Sequence, residues 1–157
     1  MAKQTFDDKD RLKQIVGELK QQVPGSKAGK KDEEGISELF DELSELVAVN
    51  AANNYNICLM GGMTALLQIM VGHDSDDVRK QACQTFSSVT GNNQKVQNFA
   101  LKAGAINLAA QLEREQKPAM REAILSSLSA FIKSANFEGK RQYVRPNPDT
   151  DELGGLD

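Results

Sequence analysis

Apolar positions recur along this chain at helical spacing, with polar positions filling the opposite face. Leu12, Ile15, Val16, Leu19 and Val23 follow one another at steps of 3, 1, 3 and 4, which predicts a helix over about residues 8–23. Thr5, Asp7 and Asp8 offer oxygens to cap its start, and Pro24-Gly25-Ser26 stops it. Residues 24–34 are polar and glycine-containing, so they read as a linker with nothing to bury. A long helix is expected over about 36–49, with Ile36, Leu39, Phe40, Leu43, Leu46 and Val47 on one face. Helices then follow over about 53–60, 63–71 and 77–90, and again near 94–102, 105–114 and 118–134. Gly61-Gly62 supplies a terminator, Ser75 or Asp76 a cap, and Pro118 a residue tolerated at a helix start.

The middle of the chain repeats with a step of 42 residues. Ile36, Val78 and Met120 align, as do Phe40, Ala82 and Ile124, then Val47, Val89 and Phe131, and Leu59, Leu101 and Tyr143. The same step matches Gly62 to Gly104, Leu66 to Leu108, Met70 to Leu112, Arg79 to Arg121 and Phe86 to Leu128, with no gap. A constant step that pairs Gly with Gly and Arg with Arg is a stronger signal than apolar matches alone. Each unit reads as three helices, and the helix over 36–49 corresponds to the third helix of a unit lacking its first two. Units of about 40–47 residues with two or three helices characterise armadillo and HEAT arrays. The predicted fold is therefore all-α: an armadillo/HEAT-like right-handed solenoid of about two and a half repeats. Stacking supplies the core that no single unit can build. The expected organisation is an N-terminal amphipathic helix and linker (1–34), an armadillo-repeat domain (35–145) and a disordered acidic tail (146–157). The N-terminal helix and residues 137–144 are the candidates to cap the two ends.

Composition narrows the functional classes. The 157 residues carry 19 Lys+Arg and 22 Asp+Glu, a formal net charge of −3, and no Trp. With aromatics at 5%, the core must come mainly from aliphatic side chains and Met, which favours helix packing. Charge falls in blocks: residues 1–31 hold eight basic and four acidic groups, whereas residues 32–61 hold seven acidic and no basic ones. The acidic balance argues against nucleic acid, which calls for clustered Lys and Arg. No apolar run approaches the roughly 20 residues that cross a bilayer. The start lacks a basic-then-apolar secretory pattern and the end lacks a retention tail, so a cytoplasmic location is expected. Cys58 and Cys83 show no metal-ligand spacing and read as packed residues. His73, the single histidine, has no partner suggesting a triad or a metal site. Gly61-Gly62 lacks the Lys-Ser/Thr of a phosphate loop. No enzyme constellation, cofactor or metal is expected.

Several motifs carry a family resemblance. Asp77-Val-Arg-Lys-Gln-Ala, then Gly91-Asn-Asn-Gln-Lys-Val-Gln, then Ala103-Gly-Ala-Ile resembles an armadillo repeat. Together with Leu46-Val-Ala-Val-Asn-Ala-Ala-Asn-Asn, these segments resemble the armadillo-type nucleotide-exchange factors of the 70-kDa heat-shock chaperone, in their cytosolic branch. The resemblance covers about residues 36–145. It departs from the family at Asn50-Ala51, where Asp-Asn is typical, and in length, since the family's domain has about four repeats. It implies a monomeric co-chaperone that binds the chaperone's ATPase domain and promotes ADP release, with no covalent chemistry. The alternative is a general armadillo-repeat scaffold without effect on nucleotide.

In an armadillo array the third helices line the concave face, which directs attention to their non-core positions. The 42-residue ladder places Glu38, Lys80 and Glu122 on one rung, Glu42, Gln84 and Ser126 on the next, and Leu46, Ser88 and Ala130 after that. The last two rungs lack the Trp and Asn that peptide-binding armadillo proteins place there, which argues against an extended-peptide ligand. Each polar position is equally accounted for as part of a solvated groove. Ala52, Asn53 and Asn54 match the family's contact region, although asparagine at a helix start also simply caps backbone N–H groups. Arg79 and Arg121 recur at the start of third helices, as partner contacts or as members of local ion pairs. Glu38, Glu42 and Glu45 form an acidic helical face that could meet a basic patch.

Overall fold

The structure is a computed structural model that describes the backbone of residues 2–91 and 93–134, and side chains from Asp8 to Lys133 apart from Asn92. Among the described residues the chain is all-α, with eight helices and no strand: α1 (Ala2–Lys20), α2 (Glu33–Val49), α3 (Ala52–Leu59), α4 (Gly62–Gly72), α5 (Asp76–Thr90), α6 (Gln94–Lys102), α7 (Asn107–Arg114) and α8 (Pro118–Ser134). The predicted segment 137–144, Tyr143 and the acidic tail lie outside the described residues.

Local chemistry sets most helix ends. The Asp32 carboxylate accepts from Gly35 N–H at 2.8 Å to start α2, and Glu33 and Glu34 add favourable charge in its first turn. Ser75 Oγ accepts from Val78 N–H at 3.3 Å at the start of α5, and Asn93 Oδ1 from Val96 N–H at 3.1 Å at the start of α6. Gly61 and Gly104 turn the chain between first and second helices with φ of 90° and 102°, a conformation that strains residues with a Cβ. α1 begins at Ala2 instead of near residue 8, so positions 5, 7 and 8 lie inside the helix and not at its start.

The predicted apolar faces meet in one core. Ile36, Val78 and Met120 are all buried, as are Phe40, Ala82 and Ile124. The helices α2, α5 and α8 lie side by side, with α5 between the other two. Phe86 and Phe131 join α5 to α8 with ring centroids 5.6 Å apart. α4 packs on α5, α7 on α8, and α3 on α6, where Tyr55 and Phe99 meet edge to face at 6.5 Å. α1 lies against α2, α3 and α4, and fully buries Leu12, Ile15 and Leu19 there. This face covers apolar surface of α2, α3 and α4.

Two sequence expectations change. The gap-free step of 42 fails in the first helices, where burial matches at 43: Asn53 with Val96, Asn54 with Gln97, Ile57 with Ala100. The left-handed glycines Gly61 and Gly104 are also 43 apart, so Gly62 is not the structural equivalent of Gly104. The step returns to 42 within the second helices, where Leu66 and Leu108 are both buried. Leu59 and Leu101 do not form a core rung; they are 61% and 37% exposed at the ends of α3 and α6.

The segment 24–34 is also more than a linker. Gln22 is fully buried; its Nε2 donates to Glu18 O at 3.0 Å and Gly29 O at 2.9 Å, and its Oε1 accepts from Lys31 N–H at 2.9 Å. Lys30 Nζ donates to Val23 O at 2.8 Å, and Lys31 pairs with Glu18 at 3.1 Å. One amide side chain thus organises the loop between α1 and α2 by satisfying backbone groups that would otherwise need water.

Candidate protein-docking face

The stacked helices α2, α5 and α8 share one face that carries a groove and a pocket. Two cross-links tie them together: Gln81 Nε2 donates to Ser37 Oγ at 3.1 Å, and Ser127 Oγ donates to Cys83 O at 3.0 Å. Between α5 and α8 runs an open groove of about 590 Å³, lined by Lys80, Gln84, Glu122, Ser126 and Ala130 with Cys83, Ser87 and three further small residues of α8. A smaller pocket of about 260 Å³ lies between α2 and α5, with Gln84 common to both. Small side chains on the facing sides of α5 and α8 leave this groove unfilled.

The expected site residues divide into two groups. Lys80, Gln84, Glu122 and Ser126 come together in the α5/α8 groove, and Ser88 joins Gln84 in the α2/α5 pocket. Glu38 is exposed on α2, and Ala52 is exposed at the start of α3. Glu42 faces the other way and is paired with Arg11 of α1, so it is already occupied within the chain.

Asn53, Asn54 and Arg79 are not surface contacts. Asn53 is buried, and its Nδ2 donates to Leu46 O at 2.8 Å, capping the end of α2. One unit later, Gln97 Nε2 donates to Thr90 O at 2.9 Å and does the same for α5. These amides answer the free carbonyls that every helix C-terminus leaves. Asn54 is buried beside them on α3. The oxygen that caps α3 belongs instead to Asn50, whose Oδ1 accepts from Ala52 N–H at 3.0 Å.

The recurring arginines have a shared structural task. Arg79 Nε donates to Met70 O at 2.9 Å, and Arg121 Nη1 donates to Leu112 O at 2.6 Å, each reaching back nine residues to the end of a second helix. Arg121 also donates to Glu115 O at 3.0 Å. Arg79 pairs with Glu115 through Nη2, with both side chains largely shielded (8% and 7% exposed). Asp76 extends the network to Lys117 at 2.9 Å. The carboxylate of Glu115 is held below its ordinary range by the hydrogen bond from Arg79, against the opposing cost of burial. This network fastens the loop before α8 to the start of α5, so Arg79 joins neighbouring units. Arg121 keeps an exposed side chain.

The remaining titratable candidates are two thiols and an imidazole. Burial pushes the Cys58 thiol up to about 11 and raises that of Cys83 as well, so both stay protonated near neutral pH. His73 Nδ1 accepts from Ser75 N–H at 3.0 Å, and burial, aided by Lys30, lowers its pKa. Among the described residues no three His, Cys, Asp or Glu side chains could hold a metal ion, and no single helix is long and apolar enough to cross a membrane. Comparison with protein-family models, with curated proteins and with solved structures gives no match for this chain.

Proposed function

We propose that the chain is an armadillo-type protein-binding array whose α2–α5–α8 face grips a folded partner. The observation that carries this reading is the side-by-side arrangement of three equivalent helices whose facing surfaces leave an open groove lined by polar and small side chains. For the partner, we propose the ATPase domain of the 70-kDa heat-shock chaperone, with promotion of ADP release as the activity; the repeat and asparagine motifs support that assignment. The array would bind a displaced-lobe state of the domain better than the closed, ADP-bound state. Only differential affinity shifts such an equilibrium, at about 1.4 kcal/mol for each tenfold. Nucleotide would weaken binding of the array by the same factor.

One observation favours the second reading, a scaffold without effect on nucleotide. Asn53 and Asn54 carry much of the resemblance to exchange factors; both are buried, and Asn53 is used within the fold to cap the end of α2. The discriminating experiment mixes the purified chain with the chaperone ATPase domain loaded with fluorescent ADP. Accelerated release that is lost on Ser126→Trp, with helicity unchanged, supports the exchange factor. Binding without acceleration supports the scaffold, and no binding removes the chaperone as partner.

A further inference from the structure

The pocket between α2 and α5 has a composition unlike the larger groove beside it. Its lining is Phe40, Asp41, Ser44, Gln81, Gln84, Thr85 and Ser88, so Asp41 is the one charged lining residue and the rest of the mouth is amide and hydroxyl. Asp41 is exposed and has no cationic partner among the described residues, in contrast to Glu42 on the same helix, which Arg11 neutralises. Glu38, one turn before Asp41, adds negative charge and is likewise unpaired among the described residues. Gln81 also lines the pocket and donates its Nε2 to Ser37 at 3.1 Å.

We propose that this pocket receives a single arginine side chain from the docked partner. A guanidinium presents five N–H donors in a plane, and the pocket offers a carboxylate, the amide oxygen of Gln84 and hydroxyl oxygens as acceptors. An ammonium has three donors and would leave more of these acceptors unanswered. The neighbouring α5/α8 groove, lined largely by Ala, Ser and Cys with Lys80 and Glu122 among them, takes an uncharged part of the same partner. The recognised surface is therefore an arginine standing about one helix spacing, roughly 10 Å, from a weakly polar ridge. This inference rests on the docking face proposed above, and the first arm of its test does not depend on the chaperone.

The test uses the full chain labelled with nitrogen-15 and titrated with N-acetyl-arginine methylamide at millimolar concentration. The expected amide shifts cluster at Asp41, Ser44, Gln84 and Ser88, are missing with the neutral citrulline analogue, and weaken about tenfold in Asp41→Asn. Asp41 is exposed, so its variant keeps wild-type helicity. Shifts that are absent, scattered, equal for citrulline or unchanged by Asp41→Asn overturn the proposal. A second arm measures binding of the chaperone ATPase domain to both proteins. If the domain binds both equally, the arginine pocket is not used in that complex and the proposal falls while the function stands. If the domain binds neither while the arginine compound still titrates at Asp41, the chaperone assignment falls and the pocket stands.

Discussion

Replacing Arg79 by Met isolates the strongest polar contact between units. The substitution keeps an aliphatic stem of similar length but leaves the Glu115 carboxylate, whose side chain is only 7% exposed, with only Gln111 and the Lys117 backbone as donors, and removes the donor to Met70 O. Breaking a fully buried pair from one side costs about 3–5 kcal/mol, whereas an exposed pair contributes about 0–1 kcal/mol. Glu115 is shielded by its immediate neighbours and not by a deep layer of protein, which places the charge effect between these limits, at about 2 kcal/mol. Loss of the hydrogen bond to Met70 adds about 1 kcal/mol. The total of about 3 kcal/mol lowers Tm by about 6–12 °C for a chain of this size. The assay is urea unfolding of Arg79→Met, Glu115→Gln and the double variant, followed by circular dichroism across pH. The cycle should give a coupling of about 2 kcal/mol. Because the folded-state pKa of Glu115 is depressed, its contribution is fully present above the ordinary value of 4.5 and disappears as pH falls through the folded value. Arg79→Met should therefore show a shallower loss of stability in acid than the wild type. A cost below about 1 kcal/mol at neutral pH, with an unchanged acid profile, would refute the view that this pair joins the units.

Other outcomes follow from the same contacts. Gln22→Ala removes the organiser of the loop between α1 and α2 and should cost about 2 kcal/mol, with faster amide exchange at Gly29 and Lys31 measured by hydrogen–deuterium exchange. Gly104→Ala forces a Cβ into φ 102° and should cost about 1–2 kcal/mol in urea, with little change in helicity. The His73 pKa is lowered in the fold, so stability should begin to fall as pH drops below its ordinary 6.5, and His73→Gln should remove that step from the pH profile. Ser126→Trp fills the α5/α8 groove from an exposed position and should leave Tm nearly unchanged while reducing partner binding at least tenfold by fluorescence titration.

The helices and their buried faces were legible because both are written in local spacing. Ile36, Leu39, Phe40 and Leu43 are buried as their periodicity requires, and Asp32, Ser75 and Asn93 start helices because a short oxygen-bearing side chain reaches the N–H two or three residues on. The 42-residue rungs Ile36, Val78 and Met120 fall in one core for the same reason. The α5/α8 part of the groove was legible too, because Lys80 aligns with Glu122 and Gln84 with Ser126, whereas Glu42 on the latter rung turns to Arg11. What only tertiary structure decided was the fate of the polar side chains. Nothing local distinguishes an asparagine that caps its own helix from Asn53, which caps the preceding one, or a surface arginine from Arg79, whose partner Glu115 lies 36 residues away. Gln22 holds a loop that its composition marks as featureless, and one turn shifts the first-helix register by a single residue. Apolar burial follows from a periodicity carried within each helix, whereas the satisfaction of buried polar groups depends on which distant segment the packing brings within about 3 Å.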